Sequence, residues 1–142
     1  MIIKVYGTPA PQGSKKFVGT NNAGRGIMIE SSKKVRPWRQ DVKAAAELVR
    51  NGAEPMDGPL IVTMVFTLPK PASAPKRRVT HPDKKPDLSK LIRSTEDALT
   101  DSGAIKDDAR IVRMFATKVY PGEGFNSLES PGVYITIERV AA

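Results

Sequence analysis

Apolar positions along the chain follow two periods. "IIKVYG" alternates before a loop punctuated by Gly and Pro, which predicts a first strand, and "GRGIMIESS" predicts another after a Gly-rich turn. From Pro37, the residues Trp38, Val42, Ala45, Ala46 and Val49 recur at helical spacing. Pro37 suits a first helical position, and Asn51-Gly52 is a stop signal. "GPLIVTMVFTLP" is a continuous apolar run rich in β-branched residues, which predicts a buried central strand ending at Pro69. Leu88, Leu91, Ile92, Thr95, Ala98 and Leu99 mark one face of a second helix, opened by Pro86 and Asp87 and closed by Gly103. "ARIVRMFATKVYP" and "GVYITIERV" alternate again, predicting two closing strands paired antiparallel around the turn-rich "PGEGFNSLESPG".

The order β-β-α-β-α-β-β predicts an α/β (mixed α+β) fold with two helices packed on one mixed sheet. With 142 residues, 39% of them hydrophobic and 27% charged, the chain has the size and composition of one globular domain, residues 1–142. Residues 69–86 interrupt the pattern with five prolines and six Lys or Arg against one acid. A loop of that length inside a compact domain is functional or disordered, and this one is expected to be mobile without ligand.

Charge narrows the partners. A formal charge of +8 favours polyanions, because a summed positive field concentrates them. No window approaches the ~18 apolar residues of a spanning helix, so nucleic acid is favoured over a membrane. The absence of cysteine excludes disulfides, thiolate catalysis and Cys-based zinc sites, and fits a reducing cytoplasm. The N-terminal apolar run is broken by Lys4 and then by Gly and Pro, so it lacks the apolar centre of a secretory signal.

Against this background the acids are clustered: six of the eight aspartates fall between Asp83 and Asp108. Mg²⁺ prefers hard oxygen ligands, typically one or two carboxylates with waters and substrate phosphates, so a basic chain with gathered aspartates has a use for them. The candidates are Asp87 at the start of the second helix and the pair Asp107, Asp108 before the next strand. A helix from Leu88 to Asp101 is about 20 Å long, and the seven residues from Asp101 to Asp108 span at most about 25 Å. Asp108 returns to Asp87 only if that segment runs back almost straight; the alternatives are a shorter helix or a second subunit donating Asp108. A purely structural reading of the same acids makes Asp87 a helix N-cap, puts Asp101 and Asp107 in turns, and leaves Glu96 and Asp97 on a solvated helix face.

The segment "KPDLSKLIRSTEDALTDSGAIKDDARI" resembles the RusA family of Holliday junction resolvases, whose signature runs Pro-Asp-x-Asp-(Asn or Lys)-Leu, then Asp-Ala-Leu-Thr, then Asp-Asp ahead of a strand. "GTPAPQGSKK" is similar to the family's Gly-x-Pro-x-Pro opening, and the basic Pro-rich stretch before the signature fits too. The resemblance implies a homodimeric, Mg²⁺-dependent endonuclease that nicks four-way DNA junctions symmetrically in recombination and repair and uses no organic cofactor. By position it makes Asp87 the first signature carboxylate, Asp108 the second residue of the Asp-Asp pair and a catalytic carboxylate, and Arg93 a functional basic residue; Asp107 stays a metal candidate on the reading of the residues alone. Where the family has its second catalytic aspartate this chain has Ser89, a neutral hydroxyl in place of a charged ligand. Three outcomes are open: Ser89 coordinates directly or through water, Asp107 or Asp97 compensates, or the protein binds branched DNA without cutting it.

Lys15 and Lys16, the run Lys76, Arg77 and Arg78, and Lys85 and Lys90 are the candidate DNA-backbone contacts. His81, the only histidine, is read as a solvated loop residue. Trp38 and Val42 are read as core, and Phe17 is unassigned. A basic RNA-binding domain is the weakest rival, since only 6% of residues are aromatic and unpaired bases need stacking platforms.

Overall fold

The computed structural model describes residues 1–13, 15–20, 26–30 and 33–141, the two segments between 15 and 30 as backbone only. Chain order gives β1 (Ile2–Tyr6), β2 (Lys15–Thr20), β3 (Gly26–Glu30), α1 (Val35–Arg50), β4 (Leu60–Thr67), α2 (Leu88–Ser102), β5 (Ile111–Val119) and β6 (Gly132–Arg139), with a single 3₁₀ turn at Asp108–Arg110 before β5. Four strands form one mixed sheet in the order β1-β6-β4-β5, while β2 and β3 pair antiparallel as a separate two-stranded sheet.

The predicted class holds, an α+β single domain with two helices and a mixed sheet, and three details of the sequence reading are corrected. The closing strands do not pair with each other. β4 lies between them, antiparallel to β6 from Leu60↔Arg139 to Thr67↔Gly132 and parallel to β5 from Leu60↔Ile111 to Thr67↔Val119. A long apolar strand gains more from the centre of a sheet than from its edge, so β4 separates two strands that sequence proximity alone would join. Second, Lys15–Thr20 is a strand that its Lys-Lys start and internal Gly concealed, and with β3 it lies outside the main sheet. Third, α1 begins at Val35, and Val49, expected on its apolar face, is 44% exposed.

The core lies on one face of the four-stranded sheet. Leu60, Val62, Met64 and Phe66 of β4 are fully buried, beside Ile3 and Val5 of β1 and Val133, Ile135 and Ile137 of β6. Full burial of each such side chain is worth about 1.5–3 kcal/mol. α1 covers them with Val35, Trp38, Val42 and Ala46, and α2 with Leu91, Thr95, Ala98 and Leu99. The helices are joined by a buried hydrogen bond from Trp38 Nε1 to Thr95 Oγ1 (3.2 Å), whose hydroxyl in turn donates to the Leu91 carbonyl (2.8 Å). α2 ends where predicted: Gly103 adopts φ +79°, and its N–H donates to the Thr100 carbonyl. Among the described residues no helix is long and apolar enough to cross a membrane.

Gly132 pairs with Tyr6 where β6 begins, and a Cβ there would overlap the Val5 carbonyl oxygen and press on Leu128. Both neighbours are fixed, one by the backbone and one by burial. Gly132→Ala is expected to destabilise the fold by about 3 kcal/mol, read by urea unfolding; a change under about 0.5 kcal/mol would show that β1 shifts freely.

Candidate active site and nucleic-acid surface

Asp87 occupies the N-cap position of α2 with extended backbone, yet its side chain makes no capping hydrogen bond. Its exposed carboxylate instead faces Lys90, 3.8 Å away, so the capping role does not account for the residue. Asp87 lies on the rim of a cleft of about 550 Å³. Ser89 and Arg93 follow, both exposed; with Glu96 they form an i, i+4, i+7 row along one side of α2.

The other acids gather farther along that helix. Asp107 caps the 3₁₀ turn, accepting from the Ala109 N–H at 3.4 Å. Its carboxyl also shares a hydrogen bond with Asp108, which holds Asp107 below the usual carboxylate range, helped by the Ala109 N–H. The same bond pushes Asp108 upward, joined by partial desolvation and the charges of Asp107 and Asp97. Glu96 is half-buried and likewise raised, first by that burial and then by Asp108 and Asp97, while Arg93 pulls the other way. Glu96 is therefore not a solvated helix-face residue, and composition alone gives no sign of it; the spacing Ser89, Arg93, Glu96 is the signal that could have. Asp97 is engaged too, accepting from Arg39 of α1 at 2.9 Å, and Arg39 also bonds the Gln12 side chain.

Asp87 precedes α2 and Asp108 follows it, at opposite ends of the helix's path. Parallel pairing explains this. β4 and β5 run the same way, so the chain leaves β4 at one end of the sheet, carries Asp87 there, and must return along α2 to start β5 at the other end. Lys118, near the end of β5, donates to the carbonyls of Lys84 and Pro86, both at 3.0 Å, which holds the Asp87 end beside the end of β5. Asp108 precedes the start of that strand and acts electrostatically on Glu96 and with Asp97, and Glu96 is about 13 Å along the helix axis from Asp87.

The basic loop carries defined contacts. Lys70 forms a 2.7 Å ion pair with Glu123 and bonds the Arg78 carbonyl, and the second Glu123 oxygen accepts from the Thr80 N–H. Lys70 accordingly holds Glu123 below its ordinary range. Lys76, Arg77, Arg78 and Lys85 are exposed, as is His81. Five exposed or half-exposed cations, Lys33, Lys34, Arg36, Arg39 and Lys43, extend the positive surface along α1, an extension the sequence reading does not contain. The side chains of Lys15, Lys16 and Phe17 lie outside the described residues.

The family model for the endodeoxyribonuclease RusA matches residues 7–138. The chain belongs to the RusA family. No curated protein matches it. RusA endodeoxyribonucleases act on branched DNA, which gives the positive surface its partner class and the acids a nuclease setting. Among the described residues no three Asp, Glu or His side chains converge to hold one ion without other ligands. Mg²⁺ does not require that, since one or two carboxylates with waters and phosphate oxygens suffice. In this RusA chain the adjoining carboxyls of Asp107 and Asp108 fit such a donor set, and the charges of Asp107 and Asp97 that act on Asp108 are ones a cation would relieve.

Because Glu96 has a higher pKa folded than unfolded, its ionisation costs stability. The cost is absent below the unfolded value near 4.5, grows as pH rises toward the folded one, and is full above it. Asp108→Asn removes one of the repelling charges and is expected to raise the melting temperature near pH 7.5 by about 1–2 °C, with the gap closing near pH 4. Thermal unfolding at both values checks this, and an equal shift at the two would refute the electrostatic contact.

Proposed function

We propose that the chain is a Mg²⁺-dependent, homodimeric endonuclease that resolves four-way DNA junctions by paired phosphodiester hydrolysis, acting in the cytoplasm in recombination and repair. The observation that carries this reading is the gathering of Asp107, Asp108, Glu96 and Asp97 within a chain of net charge +8, where Asp108 resists ionisation first through its bond to Asp107 and Glu96 first through burial, then through Asp108 and Asp97. Asp107 and Asp108 would hold the ion, which when bound lowers the pKa of a water and neutralises charge developing on the phosphate. Arg93, on the exposed row with Ser89 and Glu96, takes a phosphate oxygen and orients the scissile group. Ser89 contributes a hydroxyl hydrogen bond without charge. Lys76, Arg77, Arg78, Lys85 and Lys90, together with Lys15 and Lys16, hold the flanking backbone in a sequence-independent way.

Asp87 lies about 13 Å along α2 from Glu96, too far to bind the same ion as Asp108 within one chain. A two-fold dimer supplies a second Asp87 and Asp108, so the complete site is composite, with Asp108 acting in trans on the partner's side of the junction. A second reading has an observation of its own: Ser89 replaces an aspartate, and no three acids converge among the described residues, which suits a junction binder that does not cut.

A labelled synthetic four-way junction, incubated with and without Mg²⁺, separates the readings. Paired, religatable nicks are expected with Mg²⁺; retention without cleavage at every Mg²⁺ concentration would establish the binder. Asp87→Asn and Asp108→Asn should each reduce nicking at least a hundredfold while preserving binding. Mixing the two inactive proteins should restore nicking, because a mixed dimer keeps one intact composite site, and failure to complement would place both residues in one chain's site.

Replacing Lys76, Arg77 and Arg78 together with Ala is expected to weaken binding to every DNA sequence and to flatten the log-log salt dependence by up to about 0.9 for each phosphate these side chains neutralise. An unchanged slope would show that they face away from the DNA.

A further inference from the structure

The cleft at the start of α2 has features that phosphate contact alone does not explain. Its volume of about 550 Å³ lies within the range of small-ligand sites. The lining includes buried Ala10, Leu68 and Pro82, with half-buried Pro86 and Tyr120. Lys34, Lys84, Lys85 and Lys90 line it as well, all exposed, and the one carboxylate among them, Asp87, already faces Lys90. A free phosphate has no use for the apolar lining, and a plain hydrophobic ligand has none for the lysines. A ligand with one flat apolar part and one anionic part uses both.

The walls come from five separate segments, and all but that of Lys34 are pinned. Ser94 Oγ, buried, donates to the Ala10 carbonyl at 2.7 Å, and the Gln12 N–H donates to the Lys90 carbonyl at 3.0 Å. Lys118 holds the carbonyls of Lys84 and Pro86. The Leu68 N–H donates to the Val119 carbonyl at 2.9 Å, and Lys70, anchored by Glu123, lies 5.8 Å from the centre of the Tyr120 ring. A cleft whose apolar walls are held in place before a ligand arrives binds without a large ordering cost.

We propose that this cleft seats a single unpaired nucleotide of the DNA, its base against the proline and tyrosine walls and its phosphates toward the lysines. The proposal rests on the junction reading only for the source of that nucleotide: duplex bases are stacked and paired, whereas a branch point presents bases that can leave the stack. Stacking on an aromatic wall does not depend on which base is present, so the seat discriminates unpaired from paired DNA rather than one sequence from another.

The test is an NMR titration of the isotope-labelled full chain with a thymidine trinucleotide and with a trimer of abasic residues carrying the same phosphates. The thymidine trimer is expected to bind about tenfold more tightly, shifting the amides of Ala10, Leu68 and Tyr120. Tyr120→Ala should shrink that advantage, and Tyr120→Phe, which preserves the ring, should keep it even if the alanine variant folds poorly. Lys84→Ala should weaken both trimers alike. Equal affinities for the two trimers, or shifts confined to residues away from the cleft, would overturn the proposal. Junction nicking scored separately keeps the two readings apart: base-dependent binding without nicking leaves the seat standing and removes the resolvase, and nicking with equal trimer affinities does the reverse.

Discussion

The parallel pairing of β4 with β5 is the constraint from which the arrangement of charged groups follows. A parallel neighbour cannot be reached by a tight turn, so the chain must cross from one end of the sheet to the other before β5 begins. α2 is that crossing. Whatever precedes α2 is thereby fixed at the end where β4 stops, and whatever follows it at the end where β4 starts. The lysine-lined cleft and the proline-rich loop belong to the first end, the adjoining pair Asp107 and Asp108 to the approach to the second. Burying α2 against α1 through Trp38 and Thr95 then holds both ends at a set spacing, since the helix can neither slide nor tilt without breaking a buried hydrogen bond.

Electrostatics gives the two ends different characters. At the cleft, cations outnumber acids and remain exposed, which suits capture of a polyanion that arrives with its own counterions. At the other end carboxyls face one another, and among them Asp97 has a strong cationic partner in Arg39. An isolated fold gains nothing from that repulsion. Repulsion of this kind, offset only in part by Arg39, Arg93 and Arg110, is a common mark of a site that is complete only with something bound.

The fold is legible in the sequence where periodicity is strong. Apolar spacing locates both helices, the central strand and the closing strands, and α2 is bounded correctly because Asp87 and Gly103 carry chemistry specific to helix ends. What the sequence conceals is pairing. Nothing in "ARIVRMFATKVYP" says that its neighbour is a strand more than forty residues earlier rather than the one that follows, because the alternation that marks a strand is the same for any partner. The site is legible in part. Asp107 and Asp108 stand out by composition, but Glu96 does not, since its burial depends on the path of the chain after Gly103. Arg39 is hidden for the same reason: its acid partner is 58 residues away.

The order β1-β6-β4-β5 leaves two outer strands, and each presents a row of backbone groups that no neighbouring strand in the sheet satisfies. Open rows of this kind are templates for the strands of other molecules, and nine-residue β5, with Val112 and Phe115 exposed, would be a strong one. Its sequence interrupts the apolar run with Arg113 and Lys118, and β1 carries Lys4 in the middle of its five residues. Two copies approaching border to border would bring like charges together before their backbones could bond. The cationic character that draws this protein to DNA thus also keeps its copies from growing into a continuous sheet.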